Sequence, residues 1–169
     1  MKADMHVHSH YSDGADSIDD VLAQAKEAGI THISFVDHDT IASLREAREK
    51  GAQYGITIIS GIEISAFDFK RNRKVHVLGF RYDEQAVHLQ ALCDGILARR
   101  QSHSLWQIRR LRESGIDVDE AAIAESAKPS NTIYKQHIME QITDAPYDSK
   151  DYQSLYRSLF KGDGPLQGH

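Results

Sequence analysis

Between residues 2 and 64 the chain alternates short runs rich in β-branched residues with capped amphipathic helices, and that alternation leaves few folds open. Residues 2–7 read as a first strand. Ser17 is placed to cap a helix whose apolar positions Ile18, Val21, Leu22, Ala25 and Ala28 recur at three and four, and Gly29 is placed to stop it. Residues 30–36 then read as a buried strand. Thr40 can cap a second helix carrying Ile41, Leu44 and Ala47, Gly51 or Gly55 ends it, and residues 56–64 give a third apolar strand. Residues 73–80 supply a fourth, reached through the polar, turned segment 68–72. Strands alternating with helices imply parallel pairing through right-handed crossovers. The expected class is therefore α/β, with about four parallel strands.

At Asp83 the character changes. From there to Ser114 the sequence is strongly helical, with a break expected near Gly95, and shorter helices are expected at about 119–127, 130–142 and 151–160. This divides the chain into a strand-bearing part (1–82), a helical part (83–160) and a loop-like tail (161–169). A length of 169 residues suffices for a real core. No apolar run approaches membrane-spanning length and no signal-peptide pattern opens the chain, which gives the expectation of a cytoplasmic protein without a membrane partner.

In parallel α/β architectures, reactive groups gather where strands end. The first strand delivers His6 and His8, two apart and so on one face of an extended chain, with Asp13 following in a turn. The second ends in Asp37-His38-Asp39-Thr40, the third around Gly61-Ile62-Glu63, and the fourth carries His76. Taken singly, each has a plain structural reading. His76 fits a hydrogen-bonded histidine within a sheet, Glu63 a solvent-facing edge residue, and Asp37 or Asp39 a helix cap, while the N-terminal histidines alone would fit a surface cluster. Together the four strand ends point to one cation site. A buried Glu63 between Ile62 and Ile64 requires a charged partner, and two imidazoles side by side form a pincer for a divalent ion. Cys93 is the only cysteine, so thiolate zinc sites and internal disulfides are excluded and any metal sits on nitrogen and oxygen. Such ligands suit Mn, Fe or Zn and point to hydrolysis. A net charge of -5 disfavours binding to duplex nucleic acid and leaves a small phosphorylated substrate as the expected partner.

His6-Val7-His8-Ser9-His10-Tyr11-Ser12-Asp13-Gly14 and Asp37-His38-Asp39-Thr40 resemble the first two motifs of the polymerase and histidinol phosphatase (PHP) domain of metal-dependent phosphoesterases. Gly61-Ile62-Glu63-Ile64-Ser65 and His76-Val77-Leu78-Gly79 follow in the expected order. The helical part, including Ile133-Tyr134-Lys135-Gln136-His137-Ile138, resembles the insertion of the subgroup that hydrolyses nucleotide phosphates.

The resemblance implies the N-terminal part of a distorted (β/α)7 TIM-like barrel, with its second half missing, and up to three divalent ions. His6, His8 and Glu63 would share one ion, Glu63 and His76 a second, Asp13 and His38 a third, with Asp37 and Asp39 orienting the ligands. It implies phosphomonoester hydrolysis of a small phosphorylated molecule, a nucleotide being the leading candidate, by metal-activated water. His137, Lys135, Arg99 and Arg100 are candidate phosphate contacts; packing at an apolar border and solvated helix faces explain them as well. The departures are a late metal-binding histidine and a late Asp-x-His motif, which have no counterpart here. The chain is then expected to be an N-terminal piece of a longer protein, or to pair with a second copy that covers the open half-barrel. The rival expectations are a metal-binding scaffold with little catalysis and amidohydrolase-type C–N hydrolysis.

Overall fold

The computed structural model describes residues 1–83, 85–161 and 164–166. It divides into two compact units, Met1–Leu97 and Ala98–His169, so the compact boundary falls beyond the change of composition at Asp83. The expected tail at 161–169 lies in large part outside the described residues.

The first unit opens with β1 (Ala3–Val7), α1 (Ile18–Glu27), β2 (His32–Phe35), α2 (Leu44–Tyr54) and β3 (Thr57–Ile58). The three strands form one parallel sheet in the order β1-β2-β3. Ser17 caps α1 through a reciprocal pair with Asp20, and Gly29, at φ +70°, turns the chain out of the helix. Ile18, Leu22 and Ala25 on α1 bury against Ile33 and Phe35 of β2, Ala47 of α2 and Ile56. Those helical and strand periodicities are the ones the sequence displays. The second helix starts later than Thr40 predicts. Ser43 precedes α2, while Thr40 Oγ accepts from Ala42 N at 3.2 Å and closes a local turn instead. Gly55, left-handed at φ +71°, ends α2, and Gly51 lies inside it.

Residues 56–64 are not one strand. β3 stops at Ile58, and a new strand, β4 (Gly61–Asp68), begins where Gly61 presses so closely on Ser34 and Val36 that no side chain fits. β4 pairs antiparallel with β5 (Arg73–Phe80) over its whole length, which corrects the expectation of a fourth parallel strand. The four residues 69–72 are enough for a hairpin but far too few for the crossover that parallel strands need. Asp68 sets this turn by accepting from Arg71 N at 3.1 Å and Arg71 Nη1 at 3.0 Å.

A long helix, α3 (Val87–Glu113), passes through Gly95 without the expected break. The second unit adds α4 (Glu120–Ser126), α5 (Lys135–Glu140) and α6 (Lys150–Phe160). Its core is built from Ile108, Leu111, Ile123, Ile138, Met139 and Leu159 among others. The helix expected at 130–142 shrinks to α5, because Ser130 Oγ bonds the backbone of Thr132 in both directions and holds that segment in a turn. No helix among the described residues is long and apolar enough to cross a membrane.

Candidate metal centre

Three local features of the first unit bring distant side chains together. Beyond β2, residues 37–39 run beside the start of β4 in a single parallel bridge between His38 and Glu63, with Asp39 N donating to Glu63 O at 2.9 Å. Asp39 has φ +57°, and its Oδ1 accepts from Ser65 N at 2.7 Å. That bond holds the unusual backbone in place. At the end of β1 the chain folds back on itself: Ser12 N and Gly14 N both donate to Ser9 O, at 3.0 and 3.1 Å. Gly14 returns so close to His8 that an added Cβ would stand 2.7 Å from His8 O.

Asp37 fastens this loop. Fully buried, its carboxylate accepts from Ser9 N at 2.8 Å, from Ser9 Oγ at 3.0 and 2.9 Å, and from Ser12 Oγ at 2.9 Å. Tyr11 adds a second tie, donating to Glu46 Oε2 on α2 at 2.7 Å. Burial and then that bond push the Tyr11 phenol up to about 12. Ser9, Ser12 and Tyr11 stand in the first motif without any pattern that marks them as supports; the spacing of three between the serines is the one trace of a returning loop.

Glu63 lies at the middle of an arc of imidazoles. Its Oε2 is 2.9 Å from His6 Nε2, 2.9 Å from His8 Nε2 and 3.9 Å from His38 Nε2, and its Oε1 is 2.6 Å from His76 Nδ1. His8 also reaches Asp13 Oδ1 through Nδ1 at 3.1 Å, and Asp13 Oδ2 is 3.7 Å from His38 Nε2. Glu63 is 5% exposed, so burial alone would raise its carboxyl. The bond to His6 and the charges of His38, His8 and His76 outweigh it and hold the group below its ordinary value. Burial likewise pulls His8 down, but the bond to Asp13 and the charges of Asp13, Glu63 and Asp37 leave it raised. Asp13 answers in the opposite direction: its bond to His8 and the charges of His38 and His8 overcome burial and lower it.

These donors form three overlapping groups, His6/His8/Glu63, His8/Asp13/His38 and His38/Glu63/His76, each with its ligand atoms within 4.8 Å of one another. Two ligands about 2.1 Å from one ion stand about 3.0–3.4 Å apart at right-angle or tetrahedral geometry, and the contacts here bracket that spacing. The donor set is rich in nitrogen lone pairs around one buried carboxylate, which is the chemistry a divalent cation satisfies. The six expected ligands, His6, His8, Asp13, His38, Glu63 and His76, thus lie together, with His8, His38 and Glu63 each common to two groups. His10 stands outside all three, edge-on to Tyr11 with its Nε2 buried.

The four candidate phosphate contacts belong to the second unit. His137 is buried and its Nδ1 accepts from Tyr134 N at 3.1 Å, an arrangement that starts α5. Lys135 lies over the rings of Phe160 and Tyr156, and Arg100 over that of Tyr134. Arg99 borders a shallow depression with Ala98, Ser102 and His103. The places of His137, Lys135 and Arg100 follow from contacts within the unit, whereas Arg99 is exposed.

The PHP domain family model matches residues 4–161. The chain belongs to the PHP family. Among curated relatives, a phosphoribosyl 1,2-cyclic phosphate 1,2-diphosphodiesterase of Eggerthella lenta is 48% identical over 97% of the chain and 63% of the relative. A 5'-3' exoribonuclease of Haemophilus influenzae is 29% identical over 95% of the chain and 57% of the relative. A 3',5'-nucleoside bisphosphate phosphatase of Chromobacterium violaceum is 31% identical over 72% and 39%. The chain therefore spans less than two thirds of the length of these PHP relatives. The fold is that of an inferred metal-dependent phosphoesterase from Bifidobacterium adolescentis, matched over the whole chain and 58% of that structure at a TM-score of 0.87 and 23% identity. An amidohydrolase structure from Chromobacterium violaceum matches at a TM-score of 0.85 and 24% identity over the same shares.

Proposed function

We propose that the chain carries the hydrolytic site of a metal-dependent phosphoesterase that cleaves a phosphate ester on a small ribose-containing molecule. The observation that carries this reading is the arc of His6, His8, His38 and His76 around the buried Glu63, with Asp13 bridging to His8 and His38. Divalent ions held there would polarise a phosphoryl oxygen and make water acidic enough to react near neutral pH. The chain's own groups divide the work. Glu63, shared between two groups, would serve as a ligand to neighbouring cations; Asp13 keeps His8 oriented; Asp37 fixes the loop that carries His8 and Asp13; Asp39 ties residues 37–39 to β4. The substrate class draws on the activities for which three relatives are named, which concern a phosphoribosyl cyclic phosphate, RNA and a nucleoside bisphosphate.

The test is turnover of p-nitrophenyl phosphate, ribose phosphates and a nucleotide panel by the full chain with added Mn. Turnover abolished by a chelator and lowered at least about 100-fold in His8→Ala and Asp13→Ala is the expected result. Turnover unchanged in both variants would sink the assignment of the site. Metal binding with no turnover of any ester would make the chain a metal-holding scaffold.

A further inference from the structure

The β4–β5 hairpin continues past the metal centre, and its far end carries side chains that the centre leaves unused. Glu63, Ser65 and Phe67 on β4 are paired with Leu78, His76 and Lys74 on β5, so all six project from one face of the ribbon. Glu63 and His76 meet at one end of that face. Two residues further along β5, about 7 Å on, comes Lys74, opposite Phe67. Phe67 is 40% exposed and Phe69, in the turn, is 87% exposed, yet their rings pack edge to face at 5.1 Å. Single exposed apolar residues are commonplace; two phenylalanines held together at a hairpin tip form a platform.

The same tip is basic in an acidic chain. Four of the five residues 70–74 are Lys70, Arg71, Arg73 and Lys74, against a net charge of -5 for the whole. Asp68 engages Arg71 at 3.0 Å and approaches Arg73 at 3.8 Å, while Lys70 and Lys74 make no ion pair among the described residues. Arg71 takes part in the turn itself through Asp68, whereas Lys70 and Lys74 are exposed and have no such role. Together, stacking surface and positive charge are what nucleotides with unstacked bases bind to.

We propose that the tip of this hairpin seats the nucleoside side of the substrate, with a base stacked on Phe67 and Phe69 and a second phosphate met by Lys74 and Lys70. The inference rests on the phosphoesterase reading, since it makes the ribbon face a continuous track from the scissile ester to the base. The ligand chemistry is a nucleobase carrying at least two phosphates, as in a nucleoside bisphosphate or at the 5′ end of a single-stranded oligonucleotide.

The experiment is binding, with no turnover needed: fluorescence anisotropy of a short, labelled, 5′-phosphorylated single-stranded RNA on the full chain across a salt series, with an unlabelled nucleoside 3',5'-bisphosphate as competitor. Phe69→Ala and Lys74→Gln change exposed side chains at the tip. Combined, they are expected to weaken RNA binding about tenfold or more and to flatten the salt dependence by about 0.7 for each phosphate no longer neutralised. Lys26→Gln, a remote surface control, is expected to leave both unchanged. RNA bound as tightly, with the same salt slope, by the combined variant would overturn the proposal. If the variants weaken the bisphosphate as much as the RNA, one nucleotide fills the seat; if they weaken only the RNA, the seat takes a strand. Hairpin-dependent binding in a chain that hydrolyses no ester would refute the phosphoesterase reading alone. Ester hydrolysis with hairpin-independent binding would refute the hairpin seat alone.

Discussion

Asp37 belongs to none of the three ligand groups, yet the loop bearing His8 and Asp13 hangs on its carboxylate. Replacing it by Asn removes the charge and turns one acceptor into a donor facing Ser9 and Ser12, at a fully buried site. Asp37→Asn is expected to cost about 2–3 kcal/mol and to weaken divalent-ion binding about 10- to 100-fold, as read by urea unfolding and metal titration. Protons and cations compete for the same atoms. In the metal-free chain His8 is raised above its ordinary 6.5 and Asp13 lowered below its ordinary 3.8. A raised base contributes stability below its unfolded pKa and loses it as pH rises through the folded one; a lowered acid contributes above its unfolded pKa and loses it as pH falls. Their mutual stabilisation is therefore fullest between 3.8 and 6.5. A metal must displace the His8 proton, so its affinity is expected to rise with pH through and beyond 6.5, measured by calorimetry in buffers of differing ionisation enthalpy.

At the scale of elements, the loop after β1 depends on Gly14 more than any helix depends on its cap. Gly14→Ala drives a Cβ to 2.7 Å from His8 O, against backbone that cannot give way. It is expected to destabilise the first unit by about 1–3 kcal/mol and to reduce metal affinity, whereas Ser17→Ala should cost about 1 kcal/mol and leave affinity intact. Urea unfolding followed by metal titration of the two variants separates the effects. The helix α1, strand β2 and the residues at the strand ends were legible because periodicity, caps and ionisable side chains flanked by apolar ones are local signals. The reversal at β4–β5 was legible in principle, since a four-residue turn excludes a crossover; the regularity of the preceding βα units suggested otherwise. His38 facing Glu63 could not be read locally, because it depends on a single bridge between segments 25 residues apart. Beyond their spacing of three, the serines under Asp37 carry no pattern, since their role exists only once the loop has closed.

For the whole molecule, the two units divide the chemistry unequally. Every member of the three ligand groups lies in Met1–Leu97. Adding Mn to the apo chain should therefore raise the melting temperature, and the added protection from amide hydrogen exchange should concentrate in residues 3–80, sparing α4, α5 and α6. Protection spread evenly through both units would place the ions elsewhere.

How this centre fails follows from its wheel-like plan, in which Glu63 is the hub and the imidazoles are the rim. Striking out His6 or His76 severs one spoke and leaves the other two groups whole, so a graded loss of metal affinity is expected. Striking out Glu63 removes the carboxylate common to two of the three groups and leaves His6 and His76 without it, while His8 and His38 keep only Asp13. The expected tolerance of change is thus lopsided: substitutions at His6 or His76 each touch one of the three groups, whereas a substitution at Glu63 touches two.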